Sequence, residues 1–541
     1  MFGSKLSRQK LELTEKKPVD FLLKNEKSIF LAVCIFTLLP VFAGQYFVTL
    51  DGPSHLYNAK TWSFLVFDSN SFLHEYYKIN ALMPNVISHF ALSLLLTFLP
   101  AFIAEKILVV TYVFLFAYCF RYLLKSFRES NILLTYLIFP FIFSYPFILG
   151  FYNFSFGIVL LFFTVGYWLR NNHKPFSWSF AVGLTALVFL TYTAHLVLLG
   201  ILLMMLALDI AIAFFHSAKV KRYDLIKSRI ISAIIASILP LYFVYQYFAD
   251  RPISKSIFNS LDISTLLKHL FDLRPIIAFN TVNELPYSRI IVFVFLGLII
   301  ISLVNRFRNK TNNQDKPISI PEKSKRLFAG FALLTVIMLY FFLPDSDGRG
   351  SYVSLRLGLL IFPFLILVLS LLKFSRPTLI VSISIILLAH FVLVAQYAVV
   401  NMQINPSIQE ISEVSELIAP NSVVTVLNET DIWFMDHYSS YAGLEKPMVI
   451  LDNYEADYGY FPVIWNHDSF PHLTIHENET GEIPCLNFRS NLSGKSLPVN
   501  YLLIIGNSIN FSESCPELYR FISSEDVEAL HHSSQYSLYK L

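Results

Sequence analysis

Residues 48–58 read Val48-Thr49-Leu50-Asp51-Gly52-Pro53-Ser54-His55-Leu56-Tyr57-Asn58. An apolar run over 29–48 ends here on an acid. Gly52-Pro53 turns the chain, and a helix starting at that point brings His55 within about one turn of Asp51. Pro53 suits a first helical turn, where its missing N–H would have had no partner, and Asp51 suits the cap before it. Capping accounts for Asp51 and Pro53 but leaves His55 over. A carboxylate beside an imidazole at a membrane boundary can also act as a general base, or hold a metal or a phosphate.

The rest of the chain explains why that boundary is a membrane boundary. Of 541 residues, 55% are hydrophobic and only 15% charged, with 52 phenylalanines and a mean hydropathy of +0.56. A soluble domain carries about 25% charge, and disorder needs low hydrophobicity; both are excluded. A net charge of +3 also argues against nucleic acid as the main partner. Apolar runs long enough to cross about 30 Å of hydrocarbon fall near 29–48, 105–124, 131–149, 152–169, 177–193, 195–215, 228–248, 288–304, 327–343, 357–373 and 376–399. A twelfth run, 86–103, carries Ser88, His89 and Ser93 between prolines.

The net charge hides two objects. Up to position 400 there are 36 basic and 19 acidic residues; beyond it there are 5 and 19. If 86–103 lies at the surface and does not cross, 26 basic residues fall on the side of the N-terminus and 10 on the other. The positive-inside rule then puts the N-terminus in the cytoplasm and the acidic tail outside. The expected fold is mainly α: a polytopic transmembrane bundle of about eleven spans plus a juxtamembrane helix, with a small extracytoplasmic α/β domain at the C-terminus. It divides into a cytoplasmic extension over 1–28, a membrane domain over 29–399 with its first outer loop at 49–104, and a soluble domain over 400–541.

Within the tail, 408–419 reads as helix and 423–427, 447–451 and 501–505 as buried strands, with 536–539 as an edge strand. The segment Asn453–Asn466 (NYEADYGYFPVIWN) is dense in aromatics and reads first as core packing, second as packing on the membrane part or lining a cleft. Cys485 and Cys515 lie here, where an oxidising compartment lets thiols pair; without further cues they are read as reduced.

Under this topology the polar residues gather at the outer boundary. Asn85 and His89, one turn apart on the juxtamembrane helix, either line a cavity or form a buried hydrogen-bonded pair. Arg356 enters a span from outside. It calls for an anionic partner such as a lipid-linked phosphate, or it snorkels to headgroups. Asp345 and Asp347 are spaced as in metal loops, or pair with Arg349. His195 and Tyr152 sit in outer turns. Asp209 and His390, inside spans, read as interhelix packing residues.

One span, an outer loop opening on Asp51, the Pro84–His89 helix, many further spans and an outward soluble domain together resemble the C-type glycosyltransferase superfamily. The likeness is closest to bacterial members of its dolichyl-phosphate-mannose–protein mannosyltransferase-like group. It covers nearly the whole chain as architecture, and Asp51 and the Pro84–His89 helix carry it at motif level. Many relatives have two adjacent acids where this chain has Asp51 followed by Gly-Pro-Ser-His; that departure argues against a paired-acid metal site and leaves a divalent metal open. The resemblance implies an integral protein of the bacterial cytoplasmic membrane. It would transfer a sugar from a polyprenyl-phosphate donor to a glycan, lipid or protein acceptor, among membrane lipids. Asp51 would be the general base beside His55. Asn85, His89, Tyr152, His195, Arg349 and Arg356 would bind substrate. Two other classes stay open: a transporter or flippase of a lipid-linked or anionic solute, and a non-catalytic envelope assembly protein. A transporter calls for ionisable groups near the midplane and broken repeats.

Overall fold

The computed structural model describes residues 24–80, 82–217, 223–249, 259–311, 320–346, 350–430, 432–469, 499–506, 516–523 and 527–541. Among them, eight helices are long and apolar enough to cross a membrane: Ala101–Phe127, Tyr152–Asn171, Leu196–Phe215, Ile226–Ala249, Thr281–Arg308, Glu322–Phe342, Val353–Ser370 and Arg376–Glu416. Each matches an apolar run in the sequence. The protein is an integral, multi-pass membrane protein.

The other three apolar runs form shorter elements. The first is the Glu26–Thr37 helix, continued by Leu39–Phe42. The second, Glu129–Phe141, winds as 3₁₀ turns with a kink at Asn131. The third is the 17-residue Trp178–Ala194 helix. The run at 86–103 yields Ile87–Leu96, ten residues and about 15 Å long, half a bilayer core. Its face toward the protein carries Ser88, His89 and Ser93, while Phe90 and Leu94 are exposed.

Two ionisable groups inside the bundle have polar partners, as burial demands. Asp209 accepts hydrogen bonds from Trp168 Nε1 (2.9 Å), Asn172 Nδ2 (2.7 Å) and Arg229 Nη1 (2.9 Å). His390 Nε2 lies 2.9 Å from Thr37 Oγ1. Both bind helix to helix.

The Arg376–Glu416 helix runs 41 residues, about 60 Å, out of the membrane domain into the C-terminal domain. There a five-stranded sheet has the order β3-β2-β5-β7-β6. β2 (Ser422–Glu429) pairs parallel with β3 (Met448–Ile450) and β5 (Tyr501–Gly506); β7 (Tyr536–Lys540) pairs antiparallel with β5 and with β6 (Glu528–His532). β7 is thus an inner strand. The edge is β6, whose sequence Glu-Ala-Leu-His-His shows none of the alternation that marks a strand. Ser407 Oγ on the long helix lies 2.8 Å from Tyr536 Oη on β7 and binds sheet to helix.

A second sheet ties the C-terminal β-sheet region to the segment before the juxtamembrane helix. β1 (Tyr77–Ile79), from the first outer loop, pairs antiparallel with β4 (Val463–Trp465) of the C-terminal domain. Tyr77 stacks on Trp465 at 4.6 Å. Asn58 and Asn453, both buried, exchange two hydrogen bonds of 2.8 Å. Tyr57 Oη donates to the Met448 carbonyl and accepts from Ile450 N. The aromatic 453–466 segment is therefore the seam between loop and domain. Cys34 and Cys119 are free and buried; Cys485 and Cys515 lie outside the described residues.

Candidate functional site

Asp51 precedes the Gly52–Phe67 helix, but its side chain makes no capping bond. Thr49 Oγ1 takes the Gly52 N–H instead, at 3.1 Å. The Asp51 backbone is braced by the 148–150 turn: Leu50 N donates to the Ile148 carbonyl and Asp51 N to that of Leu149. Gly150 has φ +86°, and a Cβ there would lie 2.7 Å from the Asp51 Cβ. The carboxylate, 13% exposed, faces His437 Nε2 at 3.5 Å. Burial pushes its pKa up to about 7 against the pull of His55 and Arg356.

His55 is buried one turn on. Its Nε2 lies 2.7 Å from the Gly150 carbonyl, and its Nδ1 faces Glu455 Oε1 at 2.6 Å and His89 Nε2 at 3.0 Å. His89 Nε2 is also 2.9 Å from Glu455 Oε2. Burial disfavours the His55 cation, yet the Glu455 carboxylate raises the imidazole above its ordinary value; burial keeps His89 below its own. Glu455 is held down at about 2 in spite of burial, because both histidines face it. His55, His89 and Glu455 are, among the described residues, the group whose ligand atoms are close enough to hold a metal ion. Phe461 covers both imidazoles, with ring centres 6.1 Å and 5.7 Å away.

Arg356 sits at the start of the Val353–Ser370 helix. Its guanidinium stacks on Phe151 at 4.1 Å and lies 5.7 Å from the Phe154 ring; Nη1 is 3.2 Å from His195 Nε2. Burial, then the neighbouring Arg356, depresses the His195 pKa strongly. His195 is thus a neutral prop that can accept from the guanidinium. Aromatic faces on one side and an imidazole on the other aim Arg356.

Tyr152 and Asn153 begin the Tyr152–Asn171 helix beneath these groups. Tyr152 Oη lies 2.9 Å from Thr49 Oγ1 and 3.5 Å from Glu105 Oε1. Asn153 Oδ1 accepts from Ser88 N and Oγ, and its Nδ2 donates to the Asn85 carbonyl. Asn85 itself lies before the juxtamembrane helix at φ +65°, a conformation Asn tolerates. It thus shares no helix face with His89, and its carbonyl is the group bonded to Asn153. Asp345 Oδ1 accepts from Ser354 N and Oγ, so this acid caps a helix. Asp347 and Arg349 lie outside the described residues.

Asp51, His55, His89 and Arg356 therefore lie around one site, and His195, Tyr152 and the Asn85 carbonyl support them. Sequence reasoning missed Gly150, His437, Tyr454 and Glu455. The signal for Glu455 was an acid inside an aromatic run; it is fully buried and faces two histidines.

Nearly the whole chain aligns with a solved structure. The crystal structure of ArnT from Cupriavidus metallidurans bound to undecaprenyl phosphate aligns with 95% of this chain and 98% of its own, at a TM-score of 0.56 and 8% identity. The chain has the C-type glycosyltransferase fold. ArnT in the apo state aligns over 96% and 98% of the two chains, at a TM-score of 0.45 and 10% identity. No protein-family model and no curated protein sequence matches. Within the C-type fold, the first outer loop, the juxtamembrane helix and the C-terminal domain meet around Asp51.

Proposed function

We propose that the protein is a glycosyltransferase of a bacterial cytoplasmic membrane, taking a sugar from a polyprenyl-phosphate donor and passing it to an extracytoplasmic acceptor. The observation that carries this reading is Asp51: a carboxylate relieved of capping, largely buried, with its pKa near 7, and close enough to feel Arg356. A general base works best with a pKa near the operating pH. The ArnT structure, which contains undecaprenyl phosphate, shares this fold.

Asp51 takes the proton of the acceptor hydroxyl as that oxygen attacks the anomeric carbon. The bond between that carbon and the donor phosphate oxygen breaks, and its electron pair leaves with the phosphate. Arg356, aimed by Phe151 and His195, stabilises the charge gathering on that oxygen. One direct displacement inverts the anomeric centre. The basic loops hold the N-terminus in the cytoplasm, which puts Asp51 and the C-terminal domain outside.

The test is Asp51→Asn in lipid nanodiscs, supplied with radiolabelled undecaprenyl-phosphate sugars and an envelope extract as acceptor. Wild type is expected to move label to the acceptor and the variant to fall at least about a hundredfold below it. Undiminished transfer by a folded Asp51→Asn protein would refute the base.

A further inference from the structure

His55 and His89 each direct one ring nitrogen at Glu455; the other nitrogen of His55 meets the Gly150 carbonyl and that of His89 the Asn153 side-chain amide. His55 Nε2, at 2.7 Å from the Gly150 carbonyl, carries its proton there. A neutral ring then has a lone pair on Nδ1. His89 Nδ1 lies 3.4 Å from Asn153 Nδ2, whose amide donates to the Asn85 carbonyl at 2.8 Å, and its Nε2 faces the same acid as His55 Nδ1. These two nitrogens are 3.0 Å apart, and each is within 3 Å of a carboxylate oxygen. All three side chains are buried, at 3%, 0% and 0% exposure.

Electron pairs packed this way in a dry site repel unless a cation lies among them. A single proton serves this cluster poorly. Placed on His89 Nε2 it bonds Glu455 Oε2 at 2.9 Å, but Glu455 Oε1, 2.6 Å from His55 Nδ1, is then left buried without a hydrogen bond. A divalent ion takes all three donors at once. Two imidazoles and a carboxylate suit zinc; magnesium and calcium prefer all-oxygen shells. The bond from His55 Nε2 to the Gly150 carbonyl is the usual outer support of a metal-bound histidine.

We propose that His55 Nδ1, His89 Nε2 and Glu455 hold a zinc ion. Its ligands come from the helix after Asp51, the juxtamembrane helix and the short Tyr454–Asp457 helix of the C-terminal domain. The ion pins the soluble domain to the membrane domain at a point a single helical turn from Asp51. The proposal goes beyond sugar transfer and does not depend on it.

The test is metal content of the full-length, detergent-purified protein with its affinity tag removed. Elemental analysis is expected to find about one zinc per chain, and less than about 0.1 in His89→Gln and Glu455→Gln. Because those variants can fail to fold, wild type is also stripped with a chelator and followed by thermal unfolding. Stripping is expected to lower the unfolding temperature, and added zinc, but not magnesium, to restore it. Cobalt added to the stripped protein should give the visible absorption of a tetrahedral site. A wild-type protein that takes up no zinc from excess, or variants that keep wild-type zinc, would overturn the proposal in favour of a shared proton. Asp51→Asn should retain zinc, so a chain that binds zinc and moves no sugar sinks the transferase reading alone.

Discussion

His437 of the C-terminal domain faces Asp51 of the first outer loop, Nε2 to Oδ1, across 3.5 Å. Nearly 400 positions separate the two in sequence. The His437 ring stacks on Tyr454 at 4.3 Å, and burial holds its pKa down at about 4. A neutral imidazole turned to a carboxylate offers its N–H. At 3.5 Å the contact is longer than a good hydrogen bond, so His437→Ala is expected to slow turnover by about tenfold or less, with the donor KM nearly unchanged. Steady-state kinetics with varied donor checks this; a rise in KM alone would assign His437 to binding.

Gly150 is the second point at which Asp51 is held. At φ +86°, with space for a Cβ already taken by the Asp51 backbone, Gly150→Ala meets both strain and a clash. The expected loss is about 1–3 kcal/mol of stability, with a fall in transfer because Asp51 must move. Gly200, in a spanning helix with open space around it, is the control. Gly200→Ala should be neutral or stabilising by about 1 kcal/mol. Thermal unfolding and transfer assays on both variants decide the matter.

Arg356→Lys keeps the charge but loses the planar fork that stacks on Phe151. Binding of undecaprenyl phosphate is expected to weaken about tenfold or more. Undecaprenol, which lacks the phosphate, should bind wild type and variant alike. Native mass spectrometry with both lipids separates charge recognition from lost packing.

Asp452 supplies a pH prediction. Burial raises its carboxyl from 3.8 to about 6, and Ser439 Oγ donates to Oδ2 at 2.7 Å. The folded state thus holds this proton more tightly than the unfolded one. The stability it contributes is full below about pH 4 and is lost as pH rises through about 6. Asp452→Asn is permanently neutral. It should melt with wild type near pH 4 and above it at pH 7.5. Equal melting at both values would contradict the burial argument.

Much of this architecture is local and was therefore legible. Eight apolar runs became eight long helices, and β2, β3, β5 and β7 arose where short β-branched or aromatic stretches stood between turn residues. The ten-residue juxtamembrane helix followed from polar residues and prolines around an apolar centre. Spacing over a few residues also placed His55 beside Asp51. Where that reasoning stretched it failed: Asn85 stands one helical turn before His89 in sequence but is bent out of the helix at positive φ.

Sequence by itself determined that Asp51 stands at the end of an apolar run with a histidine one turn on, because hydrophobic length and helical spacing act within a few residues. It could not decide whether Asp51 caps its helix, since Thr49 and Asp51 both carry a side-chain oxygen and only the path of the 148–150 turn gives the bond to Thr49. Nor could it choose Glu455 among 38 acidic residues. That choice comes from β1 pairing with β4 and from the Asn58–Asn453 contact, which carry the Tyr454–Asp457 turn onto the imidazoles of His55 and His89. Contacts over nearly 400 residues leave no periodic trace in a chain, because they are set by how whole elements pack.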